Sequence, residues 1–180
     1  MALALLVSAG CSLVPAPGPD EPMNWLVRHG GPADPALTPR VEAAARCLAP
    51  EGRGRIERVL VAATDEIGAW SWPDGAVVLT QRLVEQLADD EIAAVLAHEI
   101  GHLELDDRPG PESLAGGSRG ASTEEAADRA ATRILMRRGL DPTAVARMLR
   151  RVGQMAGPEV AAGRAALRRA AILDTDASPP

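Results

Sequence analysis

The residues best placed to do chemistry are His98, Glu99 and His102, in the run Ala97-His98-Glu99-Ile100-Gly101-His102-Leu103. Helix positions four apart stand one above the other, so imidazoles at 98 and 102 aim at one point. Two neutral imidazoles so spaced suit a zinc ion, at about 2.0–2.1 Å per Zn–N bond. Glu99 leans toward the open side of that ion. There its carboxylate can take the proton of a bound water as the water attacks a carbonyl.

A second constellation is Ser122-Thr123-Glu124-Glu125-Ala126-Ala127-Asp128-Arg129. Ser122 and Glu125 have the spacing of a capping box, which predicts a helix start. Glu124 and Asp128, four apart, share a face of that helix. Glu124 can supply a third ligand, completing a two-histidine, one-glutamate set that leaves a fourth position for water. Asp128 can accept the outer N–H of a zinc-bound histidine and so fix its tautomer. Alone, each stretch has an ordinary reading: a solvated histidine pair, an acidic first turn. Their combination favours the metal.

The elements that must position these groups follow from local signals. Thr38-Pro39 predicts a helix cap followed by proline at the first helical position, with Val41, Ala44, Ala45 and Leu48 as its apolar face. Ile56 to Ala63 reads as a strand, and Ala69 to Trp72 and Ala76 to Thr80 flank a Pro73-Asp74-Gly75 hairpin turn. A small antiparallel sheet is therefore expected just before the motif helix, its edge able to pair with an extended peptide. Trp70 and Trp72 should share one face as core residues. Thr80 should cap a helix over Gln81 to Leu87, and Asp89 the motif helix, with Asp90 and Glu91 in its first turn. Ile92, Val95, Leu96 and Leu103 give that helix an apolar stripe. Asp106 to Ala121, rich in Pro and Gly, reads as a loop over the site. Later helices are expected to Arg137-Arg138 with a stop at Gly139, from Asp141-Pro142 to Val152 with a stop at Gly153, and from Gly157-Pro158 to Leu173.

At 180 residues the chain suits one domain with a real core. With no Phe and no Tyr, that core must come from Leu, Val, Ile and Ala, which favours close-packed helices. All 19 basic residues are Arg, yet the net charge is −6, and stacking aromatics are scarce. Nucleic-acid binding is not expected. Cys11 and Cys47 form neither a zinc pattern nor a disulfide framework, and Cys47 reads as a small buried apolar residue.

Met1 to Gly10 is apolar but too short to span a bilayer as a helix. Ending in small residues before Cys11, it resembles a bacterial lipoprotein signal, in which the cysteine becomes the lipidated first residue. Two features depart from that pattern: Ser8 stands where a Leu-like residue is usual, and a basic leading segment is missing. The chain is thus divided into a signal-like segment (1–10), a Pro/Gly-rich tether (11–37), a catalytic domain (38–174) and a disordered tail (175–180). His29, in the tether, is left out of the site. The expectation is an exported protein of the cell envelope, attached to the membrane by a lipid on Cys11.

With both constellations in hand, the chain resembles the HtpX-like gluzincin metallopeptidases, which include the CAAX prenyl proteases and periplasmic proteases that monitor outer-membrane β-barrel assembly. The resemblance rests on Trp72-Pro73-Asp74-Gly75-Ala76-Val77-Val78-Leu79-Thr80, on Asp89 through His102, on Glu124-x-x-Ala127-Asp128, and on Arg138-Gly139-Leu140-Asp141-Pro142. It implies an α+β fold, a mostly helical zincin-type protease domain with a small antiparallel sheet before the motif helix. It also implies one Zn2+ per chain on His98, His102 and Glu124, Glu99 as general base, Asp128 behind a histidine, and a polypeptide substrate. Three departures stand out: Ala126 where the family carries Glu, a short interval from His102 to Glu124, and Gly157-Pro158 in place of a His-Pro before a late Arg. With no Tyr and no further His, Arg164 or Arg169 is the candidate oxyanion stabiliser. The rival reading is a zinc-stabilised, catalytically weak binding or chaperone-like lipoprotein.

Overall fold

A computed structural model of the chain describes residues 22–48, 56–105 and 121–176. Three strands, β1 (Arg58–Ala62), β2 (Ala69–Ser71) and β3 (Ala76–Thr80), form a sheet in the order β1-β3-β2. The expected hairpin joins β2 to β3, with Gly75 at φ +82° in the turn and the Ala76 amide donating to the Asp74 carboxylate at 3.1 Å. β1 pairs with the far side of β3 and runs parallel to it, so the sheet is mixed rather than antiparallel throughout. Hairpin chemistry dictates only the β2–β3 pairing; the side on which β1 docks is a tertiary choice.

Strand alternation splits the apolar residues between two faces. Val61, Ala69, Val77 and Leu79 enter the main core with the helices. Ala62, Trp70, Trp72, Ala76 and Val78 form a second cluster on the opposite face. What covers that cluster is helix α1 (Pro22–Arg28), whose Trp25 and Leu26 are each 1% exposed. Trp25 packs on Trp70 with ring centroids 4.4 Å apart and stacks on His29 at 4.0 Å. Residues 22–37, expected to be a tether, are therefore folded onto the sheet. The Ala33 amide donates to the Val61 carbonyl and the Ala63 amide to that of Gly31, so this segment also covers the outer edge of β1.

Helix α2 (Thr38–Leu48) begins one residue earlier than its expected cap allows, because a 3₁₀ turn over Pro35–Leu37, capped by Asp34, leads straight into it. Val41, Ala44 and Leu48 take its buried face, which leaves Cys47 exposed rather than buried. Thr80 caps α3 (Gln81–Gln86) as expected, accepting from the Leu83 amide at 3.3 Å. The motif helix α4 (Asp89–Glu104) starts after Ala88, whose amide donates to Glu91 Oε2 at 2.9 Å. Asp89 is thus the first helical residue rather than the cap, and it pairs with Arg40 at 2.6 Å.

α5 (Ala121–Arg137) already includes Ala121, so Ser122 lies in its first turn, and Gly139 at φ +69° ends it as the sequence predicts. α6 (Ala144–Ala156) runs past Gly153 to Gly157. Gly153 does not stop the helix; it lets α7 (Ala161–Asp176) approach, since a Cβ there would stand 2.8 Å from Leu167 and 3.0 Å from the Gly163 carbonyl. α4 sits at the centre, against α2, α5, α6 and β2, with α7 packed on α6. Among the described residues no helix is long and apolar enough to cross a membrane. The signal-like segment, Cys11, residues 106–120 of the expected loop and the last four residues lie outside the described chain.

At the start of α6, Asp141 accepts from Arg147 at 2.8 Å and from the Thr143 hydroxyl at 2.7 Å. Those bonds, Arg147 first, lower its pKa from 3.8 to about 2. The folded chain therefore binds fewer protons than the unfolded one across that interval. The contribution is present above the unfolded value and is lost as pH falls through about 2. Because the pair is half-exposed, it is worth less than about 1 kcal/mol. Asp141→Asn should lower Tm at neutral pH by no more than about 3 °C. In a thermal unfolding series the gap should close as the pH is brought down toward 2.

Candidate metal centre

α4 is buried along its whole middle, from Glu91 through His102. Its small residues, Ala93, Ala94, Ala97 and Gly101, let the surrounding elements close in. The approach is tightest at Gly101, where a Cβ would stand 3.0 Å from the Ala127 carbonyl and 3.1 Å from Ala130 Cβ. Gly101 lies between the two histidines, and Ala127 lies between Glu124 and Asp128. The contact that α4 and α5 make there brings the two motifs face to face.

The result is a buried convergence of lone pairs. His98 Nε2 and His102 Nε2 are 3.0 Å apart. Glu124 Oε2 lies 3.5 Å from the first and Oε1 3.6 Å from the second. All three side chains are buried, and together they could hold a metal ion. Glu124 Oε1 is buried without a hydrogen-bond partner among the described residues. Two nitrogens bound tetrahedrally to one zinc stand about 3.3 Å apart, given the usual Zn–N length, so little movement is needed. The donor set and its unsatisfied oxygen both fit a zinc ion.

Behind the ligands, Asp128 Oδ1 lies 2.9 Å from His98 Nδ1, which directs Nε2 at the cluster. Arg169, arriving from α7, donates Nε and Nη2 to the two oxygens of Asp128, each at 2.6 Å. Its Nη1 donates to Glu124 Oε2 at 2.8 Å. Burial opposes the charge on Glu124, but His98, Arg169 and His102 outweigh it and lower its pKa from 4.5 to about 2. Asp128 is likewise lowered despite burial, by hydrogen bonds from Arg169 and His98. Both carboxylates are thus held as anions. Glu124 and Asp128 bring two negative charges to this region, which Arg169 meets through three donors.

Of the residues expected at the site, the fold gathers His98, Glu99, His102, Glu124, Asp128 and Arg169. Arg164 stands apart, exposed, with its guanidinium on the Glu159 carbonyl, so it does not reach the cluster to serve as an oxyanion donor. Arg169 does reach it, with three nitrogens turned to the carboxylates. Sequence reasoning missed Ser71, whose hydroxyl donates to Glu99 Oε2 at 2.8 Å. The available signal was a lone hydroxyl two positions after Ala69 on an apolar strand. An apolar cavity of about 80 Å³ opens onto His98, Glu99, Glu124 and Arg169. Its walls include Ala69, Val95, Met148, Leu149 and Ala166.

Residues 34–109 match the model of peptidase family M48. That match supports an assignment to the M48 metallopeptidases. The match spans α2, the sheet and the motif helix, and it supports a metallopeptidase, a hydrolase acting on polypeptides. Glu124, Asp128 and Arg169 lie beyond the matched residues, so their place at the site rests on geometry. No curated protein matches the chain.

The α4–α5 contact gives a prediction for the metal. Gly101→Val would press a branched side chain on Ala127 and Ala130 and cost about 1–3 kcal/mol. Tm should fall by roughly 3–10 °C. Zinc retained per folded chain, measured by metal analysis after loading, should fall by at least about half, because Glu124 moves away with α5.

Proposed function

We propose that this protein is an M48-type, zinc-dependent endopeptidase of the bacterial cell envelope, held at the membrane by a lipid on Cys11. The observation that carries the enzymatic part is the buried convergence of His98, His102 and Glu124 beside Glu99, at the mouth of an apolar cavity. The envelope part rests on the apolar run that ends in small residues before Cys11.

His98, His102 and Glu124 would hold the zinc. Bound there, it supplies an electrophile for the scissile carbonyl and acidity for a coordinated water. Glu99 acts as general base: its carboxylate accepts a proton from the attacking water and returns it to the amine nitrogen as the C–N bond breaks. Asp128 holds His98 in the tautomer that presents Nε2. Arg169 keeps Asp128 and Glu124 charged and oriented. β2 is an edge strand of the sheet and passes beside Glu99, which suits pairing with an extended peptide. The apolar cavity suits an aliphatic side chain of that peptide.

The engagement of Arg169 with carboxylates favours one alternative, a zinc-stabilised binding protein with weak turnover. Glu99→Gln separates the two readings. The variant should retain its zinc and lose roughly 10²–10⁴-fold in peptide cleavage. Unchanged cleavage would contradict the mechanism. Equal protection of an aggregating client by wild type and variant, with no cleavage by either, would favour the binding reading.

A further inference from the structure

The geometry points to Ser71 as a positioning residue for the base, which we propose here on the reading just given. Glu99 is 1% exposed, and a buried carboxylate needs donors to stay charged and fixed. The Ser71 hydroxyl supplies one at 2.8 Å, on Oε2. A bond to one carboxylate oxygen sets the rotation of the carboxylate plane, and so the direction in which the group meets a water.

Ser71 is itself held by the sheet. It lies opposite Val77 in the β2–β3 register. Its neighbours Trp70 and Trp72 are buried in the second apolar cluster, against Trp25. Ser71 instead reaches α4, where its hydroxyl meets Glu99. Anchoring two large rings beneath the sheet thus sets the hydroxyl between them in place. A hydroxyl has one proton and two lone pairs, so Ser71 can donate to ionised Glu99 and accept from it once Glu99 carries the water's proton. The base keeps its partner in both states. Because β2 is the edge on which a peptide would lie, the same residue links substrate strand and base.

The test uses the full-length, zinc-loaded chain with Ser71→Ala, Ser71→Thr and Glu99→Gln, and an internally quenched peptide that wild type cleaves. Ser71→Ala should lower kcat about 10-fold or more, with KM within about twofold and zinc content unchanged. Ser71→Thr, which keeps the hydroxyl on a strand-favouring side chain, should restore most of the loss. A second readout is the affinity of a peptide hydroxamate, whose acidic proton passes to the base. Ser71→Ala should weaken it several-fold in wild type and have no further effect on Glu99→Gln. Wild-type kcat in Ser71→Ala, or additive effects in the hydroxamate cycle, would overturn the proposal. A fall in zinc content that accounts for the lost activity would do the same, reducing Ser71 to a packing role. A wild type that binds hydroxamate but cleaves no peptide would sink the enzymatic reading instead, and the cycle would still decide whether Ser71 acts through Glu99.

Discussion

Burying charge is the constraint on which this molecule turns. Glu99, Glu124 and Asp128 are each 5% exposed or less, beside two buried imidazoles. Carboxylates so placed are strongly destabilising unless something positive meets them. Arg169 meets two of them from the far end of the chain, through three charge-assisted bonds. His98, His102 and Glu124 together could hold a divalent cation, which would supply the remaining charge. The C-terminal helix is therefore part of the site, and its place on α6, through Gly153 and Gly163, decides whether the guanidinium arrives.

The site is assembled from two parts that meet at Gly101. One, within the stretch that matches the M48 family, carries the histidines, Glu99 and the strand beside them. The other, α5 with α7, carries Glu124, Asp128 and Arg169. Neither holds a complete ligand set. Metal binding and the docking of α5 on α4 would thus be coupled, because an ion that draws Glu124 to the histidines would also close the helix pair.

Much of this is legible in spacing. The His98–His102 and Glu124–Asp128 pairs need only the four-residue period of a helix to share a face, and Thr80 and the Pro73-Asp74-Gly75 turn announce themselves by local chemistry. What escapes depends on distant partners. α1 is hidden because Trp25 and Leu26 stand among prolines and glycines, and only the tryptophans of the sheet give them something to cover. Gly153 carries the same symbol as a helix stop, yet its function is close approach to Gly163. Cys47 follows the apolar pattern loosely, and the fold gives the buried face to Val41, Ala44 and Leu48 instead. Arg169 belongs at the cluster, as the sequence suggests, but its targets, more than forty positions earlier, are carboxylates. Ser71 can be placed on a strand from the sequence, while its partner on α4 cannot.

The most direct test of the account is zinc content per chain, measured after purification without chelator and reloading, for wild type and Glu124→Ala. The account predicts about one zinc in wild type and a marked loss in the variant, since two histidines alone leave the ion without its charged ligand. No zinc in either protein would contradict it and reduce the convergence of His98, His102 and Glu124 to a packing accident.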